Sequence, residues 1–127
     1  MDFNDLATVE THDQGAEVNI ISPLDRNPTD VFITIMGVDS KEWRSQKKKQ
    51  TTKIIEAKNA GTMDKLDYDA LDAEALAAVT LSWRGITKEG KEFKCTHANA
   101  LDLYVNSPAI SSQLLDFLNE RANFTKG

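Results

Sequence analysis

The stretch Asp69 to Arg84, "DALDAEALAAVTLSWR", decides how this chain folds. Leu71, Ala75, Ala78, Val79, Ser82 and Trp83 recur at steps of three and four, while Leu76, Ala77 and Leu81 add a second apolar strip. Residues at that spacing share adjoining faces of an α-helix. The spacing predicts one helix over 69–84, covered on two sides and central to the core. Carboxylates at its start, in "DYDALD" (67–72), suit the positive end of a helix macrodipole.

Upstream, "AEVNIIS" (16–22) and "DVFITIMGV" (30–38) are β-branched and read as two strands. The prolines, Asp and Asn of "PLDRNPT" between them supply turn chemistry, so 16–38 is expected to be an antiparallel hairpin. Asp39-Ser40-Lys41-Glu42 resembles a capping box with Asp in the cap position, opening a helix over 40–59 that Gly61 ends. "GTMDKLDYD" (61–69) is an acidic linker. Residues 1–15 carry Phe3, Leu6 and Val9 at helical spacing, enough for a frayed turn or one short helix.

Downstream, Gly85 is expected to end the central helix in a left-handed conformation and Gly90 to turn "KEGKE" back on itself. Phe93 and Cys95 fit a short third strand over 91–95. Thr96 suits the cap of a helix over 97–106, and Ser107-Pro108 opens a last helix over 108–122. A tail, 123–127, follows this C-terminal helix pair. The expected class is α+β: one domain over 1–127, with an N-terminal β-hairpin packed on a bundle of about four helices.

The chain has 127 residues, 40% of them hydrophobic, and a net charge of -5 from 20 acids against 15 bases. A globule of this size buries roughly two-thirds of the surface its unfolded chain exposes, so it can own a core. Net negative charge argues against nucleic acid as the main partner, because phosphate binding wants positive charge. One cysteine fits a reducing compartment. The N-terminus has neither a basic nor an apolar signal region, and no apolar run approaches the ~20 residues that cross a bilayer. The expected home is a cytoplasm, with no membrane involved.

Gly85-x-x-x-x-Gly90-Lys91 mimics a phosphate-binding P-loop. A working P-loop follows a buried strand, cradles phosphate on backbone N–H groups and presents Ser or Thr to magnesium. Here an Ala-rich helix is expected before Gly85, Glu92 stands in the Ser/Thr position, and Glu89 adds a second anion. Cys95-x-His97 lacks the further ligands that zinc needs, since His12 is remote in sequence. No catalytic residue, cofactor or metal is expected.

The helix over 40–59 is the ambiguous feature. It carries seven basic residues (Lys41, Arg44, Lys47, Lys48, Lys49, Lys53 and Lys58) against Glu42 and Glu56, in an otherwise acidic protein. One reading is a solvated face. The other is a docking surface for an acidic partner or a like molecule, with "MDKLDYDALDAE" (63–74) as the complementary patch. Arg44, Lys47, Lys48 and Lys49 are the candidate partner-binding residues. Phe124, expected to lie beyond the final packed turn, is a candidate apolar anchor.

Taken in order, several segments resemble the tail assembly chaperones of long-tailed, siphovirus-like bacteriophages. These are "DFNDLATV" (2–9), the hairpin, "GVDSKEWR" (37–44) leading into a basic helix, "LSWRGI" (81–86), "EFKCTHANALDLYVNSP" (92–108) and "LLDFLNERANF" (114–124). The likeness spans nearly the whole chain and consists of packing and capping residues; the density of Lys47-Lys48-Lys49 departs from the pattern. The resemblance implies a non-enzymatic factor in the host cytoplasm. It would bind the tape measure protein, help tail tube protein assemble around it, and self-associate, often alongside a longer form made by frameshifting. Two other readings stay open: a structural tail or head-tail connector component of the virion, and a small nucleic-acid-binding module using helix 40–59.

Overall fold

Alternation of apolar and polar residues places Ile33 and Ile35 on one side of a strand and Phe32 and Thr34 on the other. In the computed structural model, which describes residues 1–125, this strand is β2 (Pro28–Ile35), antiparallel to β1 (Ala16–Ile21) with Val18 opposite Ile33. Their turn is held by Ser22 N–H on Asn27 O at 2.8 Å and by Asn27 N–H on the Asp25 carboxylate at 3.0 Å. The expected hairpin is present, its second strand ending at Ile35 rather than running to residue 38.

The segment 69–84 is two elements, not one. Helix α4 (Tyr68–Val79) passes without a linker into strand β3 (Thr80–Arg84), which pairs antiparallel with β2 and puts Trp83 opposite Ile33. The sheet order is β1-β2-β3, so β2 is paired on both sides. The Thr80 hydroxyl donates to Leu76 O at 2.8 Å, taking a carbonyl of the last helical turn, and lies 2.6 Å from the Tyr104 hydroxyl. Because the Thr80 proton is engaged by Leu76, Tyr104 donates to Thr80. Val79 O accepts from Met36 N–H at 3.0 Å, drawing the chain toward the sheet as soon as the helix ends. Without β3, β2 would bury a row of unpaired backbone groups, a larger penalty than losing one helical turn.

This displaces the expected third strand. Lys91–Glu92 forms β5, which pairs with β4 (Thr87–Lys88) in a separate small hairpin, and Phe93 and Cys95 lie outside it. Glu89 (φ 54) and Gly90 (φ 79) turn that hairpin with the positive φ that a two-residue connection of matching twist requires. Gly85, at φ 88, ends a strand rather than a helix. A strand therefore does precede the P-loop look-alike, but β4 and β5 follow it where phosphate binding needs a helix N-terminus.

The remaining helices follow their caps. Helix α3 (Lys41–Ala60) starts where Ser40 Oγ accepts from Trp43 N–H at 3.1 Å, so Ser40 and not Asp39 is the cap, and Gly61 closes it at φ 70. Thr96 caps α5 (His97–Asn106), and Pro108 opens α6 (Pro108–Asn119). Helix α6 stops three residues short of the expected 122 and is followed by a 3-10 turn, Arg121–Phe124. The N-terminus forms two short helices, α1 (Phe3–Leu6) and α2 (Val9–Gln14), and the linker holds one 3-10 turn, Met63–Lys65. Of the expected tail, Lys126 and Gly127 lie outside the described residues.

Helices α4, α5 and α6 cover one face of the sheet, where Val18, Ile20, Ile33 and Ile35 meet Leu76, Val79, Tyr104, Leu114 and Leu118. The opposite face is polar: the Arg84 guanidinium sits 3.9 Å from the Phe32 ring centre and pairs with Glu17 at 3.2 Å. The Gln113 carboxamide bonds both Ile21 N–H and Ile21 O at 2.8 Å, satisfying backbone groups at the edge of β1. The class is α+β, with the early hairpin extended to three strands.

The Thr80 corner makes a direct prediction. Thr80→Val keeps the shape but leaves the buried Tyr104 hydroxyl and Leu76 carbonyl without their partner. Urea unfolding should show a loss of about 1–3 kcal/mol, whereas a loss below about 0.5 kcal/mol would mean that the hydroxyl does not hold the corner.

Candidate functional site

Helix α3 is 20 residues long but buries only Trp43 and Ala57. Its start is tied to α2, where Lys41 N–H donates to the Asp13 carboxylate at 2.8 Å, and two polar ties hold its middle: Gln50 Nε2 donates to Leu71 O at 2.8 Å, and Lys53 pairs with Glu74 at 3.1 Å. Both reach α4. At 100° per residue, Gln46, Lys49, Gln50 and Lys53 share the side of α3 that looks along α4 toward α5, and with Leu71, Glu74, Ala78, His97 and Leu101 they line an open groove.

The four candidate cations do not form one patch. Lys49 lines that groove; Lys47 lies 5.4 Å from the Trp43 ring centre and donates to Gln50 Oε1 at 3.0 Å. Arg44 and Lys48, four apart, share the outward side of the helix. Arg44 reaches only its own first turn, Nε to Ser40 O at 3.4 Å. Among the described residues none of the four enters an ion pair. Lys47 spends its charge on Trp43 and Gln50, whereas no carboxylate among the described residues meets Arg44, Lys48 or Lys49.

The acidic strip 63–74 is split by its own helix. Glu74 faces α3 and pairs with Lys53, whereas Asp67, Asp69 and Asp72 line a different cleft, beside Tyr104, Pro108 and Leu115. Asp67 caps α4 by accepting from Ala70 N–H at 3.1 Å. At the N-terminus, Phe3 and Leu6 stand 78% and 63% exposed, an apolar pair one turn apart that the domain does not cover.

Phe124 is not an exposed anchor. It is 3% exposed, stacked on His12 at 4.7 Å and set edge-on to Phe117 at 5.6 Å. The 3-10 turn after α6 folds the chain back, and that is why a residue counted as tail enters the core.

Beneath Phe124 lies a polar knot that no sequence motif marked. Asp39 accepts from Thr8 Oγ1 at 2.6 Å and from Arg121 Nε and Nη2 at 2.8 and 2.9 Å. Asp39 N–H donates to His12 Nδ1 at 3.0 Å, so the imidazole is neutral with its proton on Nε2. Nε2 is buried with no hydrogen-bond partner among the described residues, the Asp39 carboxylate standing 3.7 Å away. Gly37 permits this approach, since a Cβ there would fall 2.1 Å from Nδ1. The partners are 27, 31 and 82 residues apart in the chain, so no local spacing could announce them.

Burial holds His12 below its ordinary pKa of 6.5, against a smaller upward pull from the Asp39 charge. The Arg121 hydrogen bonds, with help from Thr8, hold the Asp39 carboxyl at about 2. Elsewhere, burial raises the half-buried Cys95 thiol, the opposite of what activates a nucleophile. Among the described residues no three His, Cys, Asp or Glu side chains converge to hold a metal ion, and no helix is long and apolar enough to cross a membrane. No family model, curated protein or solved structure matches the chain.

Two predictions follow from the knot. An unfolded chain protonates His12 near pH 6.5 while the folded one resists, so that contribution is full above about pH 6.5 and is lost as pH falls. The Asp39 contribution is present above 3.8 and disappears as pH falls toward 2. Urea stability should therefore drop in two stages on acidification, and His12→Gln should remove the upper one; an unchanged slope between about pH 7 and 5 in that variant would contradict the assignment. Phe124→Ala should cost about 3 kcal/mol of stability as a core truncation, measured by the same unfolding; a neutral result would restore Phe124 to the surface.

Proposed function

We propose that this chain is a non-enzymatic tail assembly chaperone of the kind made by long-tailed bacteriophages, which binds a tape measure protein in the host cytoplasm and promotes tail tube assembly around it. The observation that carries the reading is α3. A helix of 20 residues that buries two side chains, with Arg44, Lys48 and Lys49 outside any ion pair among the described residues, leaves an outward cationic surface. Helices that are polar over most of their circumference commonly bridge to something else. The exposed Phe3 and Leu6 add apolar area suited to a helical client.

A long helical tape measure chain is prone to aggregate alone, so the test is co-expression. With this protein present, the long helical product encoded beside its gene should stay soluble and co-purify; without it, that product should enter the pellet. Purified particles should contain no stoichiometric copy of the chain. Finding one copy per structural subunit in particles would favour a permanent tail or connector component instead.

A further inference from the structure

We infer that the groove between α3 and α5, floored by α4, docks an acidic amphipathic helix of another polypeptide. This rests on reading the chain as a partner-binding protein, and it names the chemistry of one partner segment. Each of the three helices contributes residues at steps of three and four: Lys49 and Lys53 from α3, Leu71, Glu74 and Ala78 from α4, His97 and Leu101 from α5. Such rows make a channel along the helices. Its floor holds Leu71, buried, and Ala78 and Leu101, half-buried, interrupted by Glu74, whose charge Lys53 meets, and Ala78 is short enough to leave room above α4.

Charge selects the occupant. The protein carries -5 overall, yet α3 has seven basic residues against two acidic ones, and Lys49 on the groove wall has no acidic partner among the described residues. Lys53 is held at 3.1 Å by Glu74, so one carboxylate of the chain itself already occupies the kind of position an incoming Glu or Asp would take. His97, exposed at the start of α5, adds a second polar wall without negative charge. Backbone chemistry selects the conformation. The walls are helices whose N–H and C=O groups are internally bonded, so an extended segment would find no ladder to join, whereas a helix arrives with its own backbone satisfied. A matching helix carries leucine-like residues at steps of three and four, flanked by carboxylates.

The probe is a capped synthetic peptide of about 18 residues, five helical turns, with leucines at that spacing and glutamates elsewhere, added to the isotope-labelled full chain. A matched peptide with lysines replacing the glutamates is the control. Amide shifts should move at 46–53 and 97–101 with the glutamate peptide, and binding should weaken about tenfold in Lys49→Glu while Lys49→Arg retains it. Lys91→Glu, on β5, should change nothing. The inference is overturned by no shift up to about 1 mM peptide, by equal binding of the lysine peptide, or by shifts elsewhere. It is also overturned if the chain sediments as an oligomer that Lys49→Glu dissolves, because the occupant is then a second copy. Peptide binding without co-purification of the long helical product would sink the chaperone reading alone; co-purification without peptide binding would sink only the groove.

Discussion

The corner at Thr80 is the constraint on which the architecture turns. Helix α4 is buried along Leu71, Ala75, Leu76 and Val79, and β3 must begin on the next residue to pair with β2. One hydroxyl at that point satisfies the Leu76 carbonyl in the last helical turn and receives the Tyr104 proton, tying α4, β3 and α5 together within 3 Å. With the corner fixed, the sheet has a covered face and an open one, and α3 is left to pack against the flank of α4, sending only Trp43 into the core cluster. The weak attachment of α3, and so the availability of its charges, is a consequence of where the main core closes.

A second tie sits at the same end of the sheet, just past the last residue of β2, where Gly37 N–H reaches His12 O at 3.0 Å. Thr8, His12, Asp39 and Arg121 bring the N-terminal helices, the loop after β2 and the last turn to one carboxylate. Most of this is hydrogen bonding to a charged group, stronger than its neutral counterpart and costly to leave half made. The buried imidazole with its unbonded Nε2 is the expensive member, and it is kept neutral by the same burial that stacks Phe124 upon it. The knot is therefore sensitive to acid, while the Thr80 corner, built from hydroxyls, is not.

What could be read from sequence alone was what depends on near neighbours. The hairpin, the span of α3 closed by Gly61, the Thr96 cap and the Ser107-Pro108 junction each follow from a few adjacent residues, and each is present. The helix expected to run through Ser82 and Trp83 failed because a β-branched and aromatic run happened to keep helical spacing, while the strand it joins, β2, lies some 50 positions earlier in the chain. Asp39 looked like a cap because Ser40 beside it is one, and Phe124 looked like tail because the turn that returns it is fixed by a distant carboxylate. The charge surplus of α3 was visible as composition. Its division into a groove-facing Lys49, a Trp43-covering Lys47 and an outward Arg44 and Lys48 required knowing which side of the helix Trp43 buries.

We propose that the outward cationic surface of α3 serves a polypeptide partner and contributes little to the fold. The most direct measurement is the affinity of the purified chain for its co-purifying helical partner across a salt series, alongside urea stability of the free chain at the same salts. The account predicts that affinity falls at least about tenfold between low and high salt, as exposed charges are screened, while stability stays level. Affinity indifferent to salt, or stability that falls in step with it, would contradict the claim.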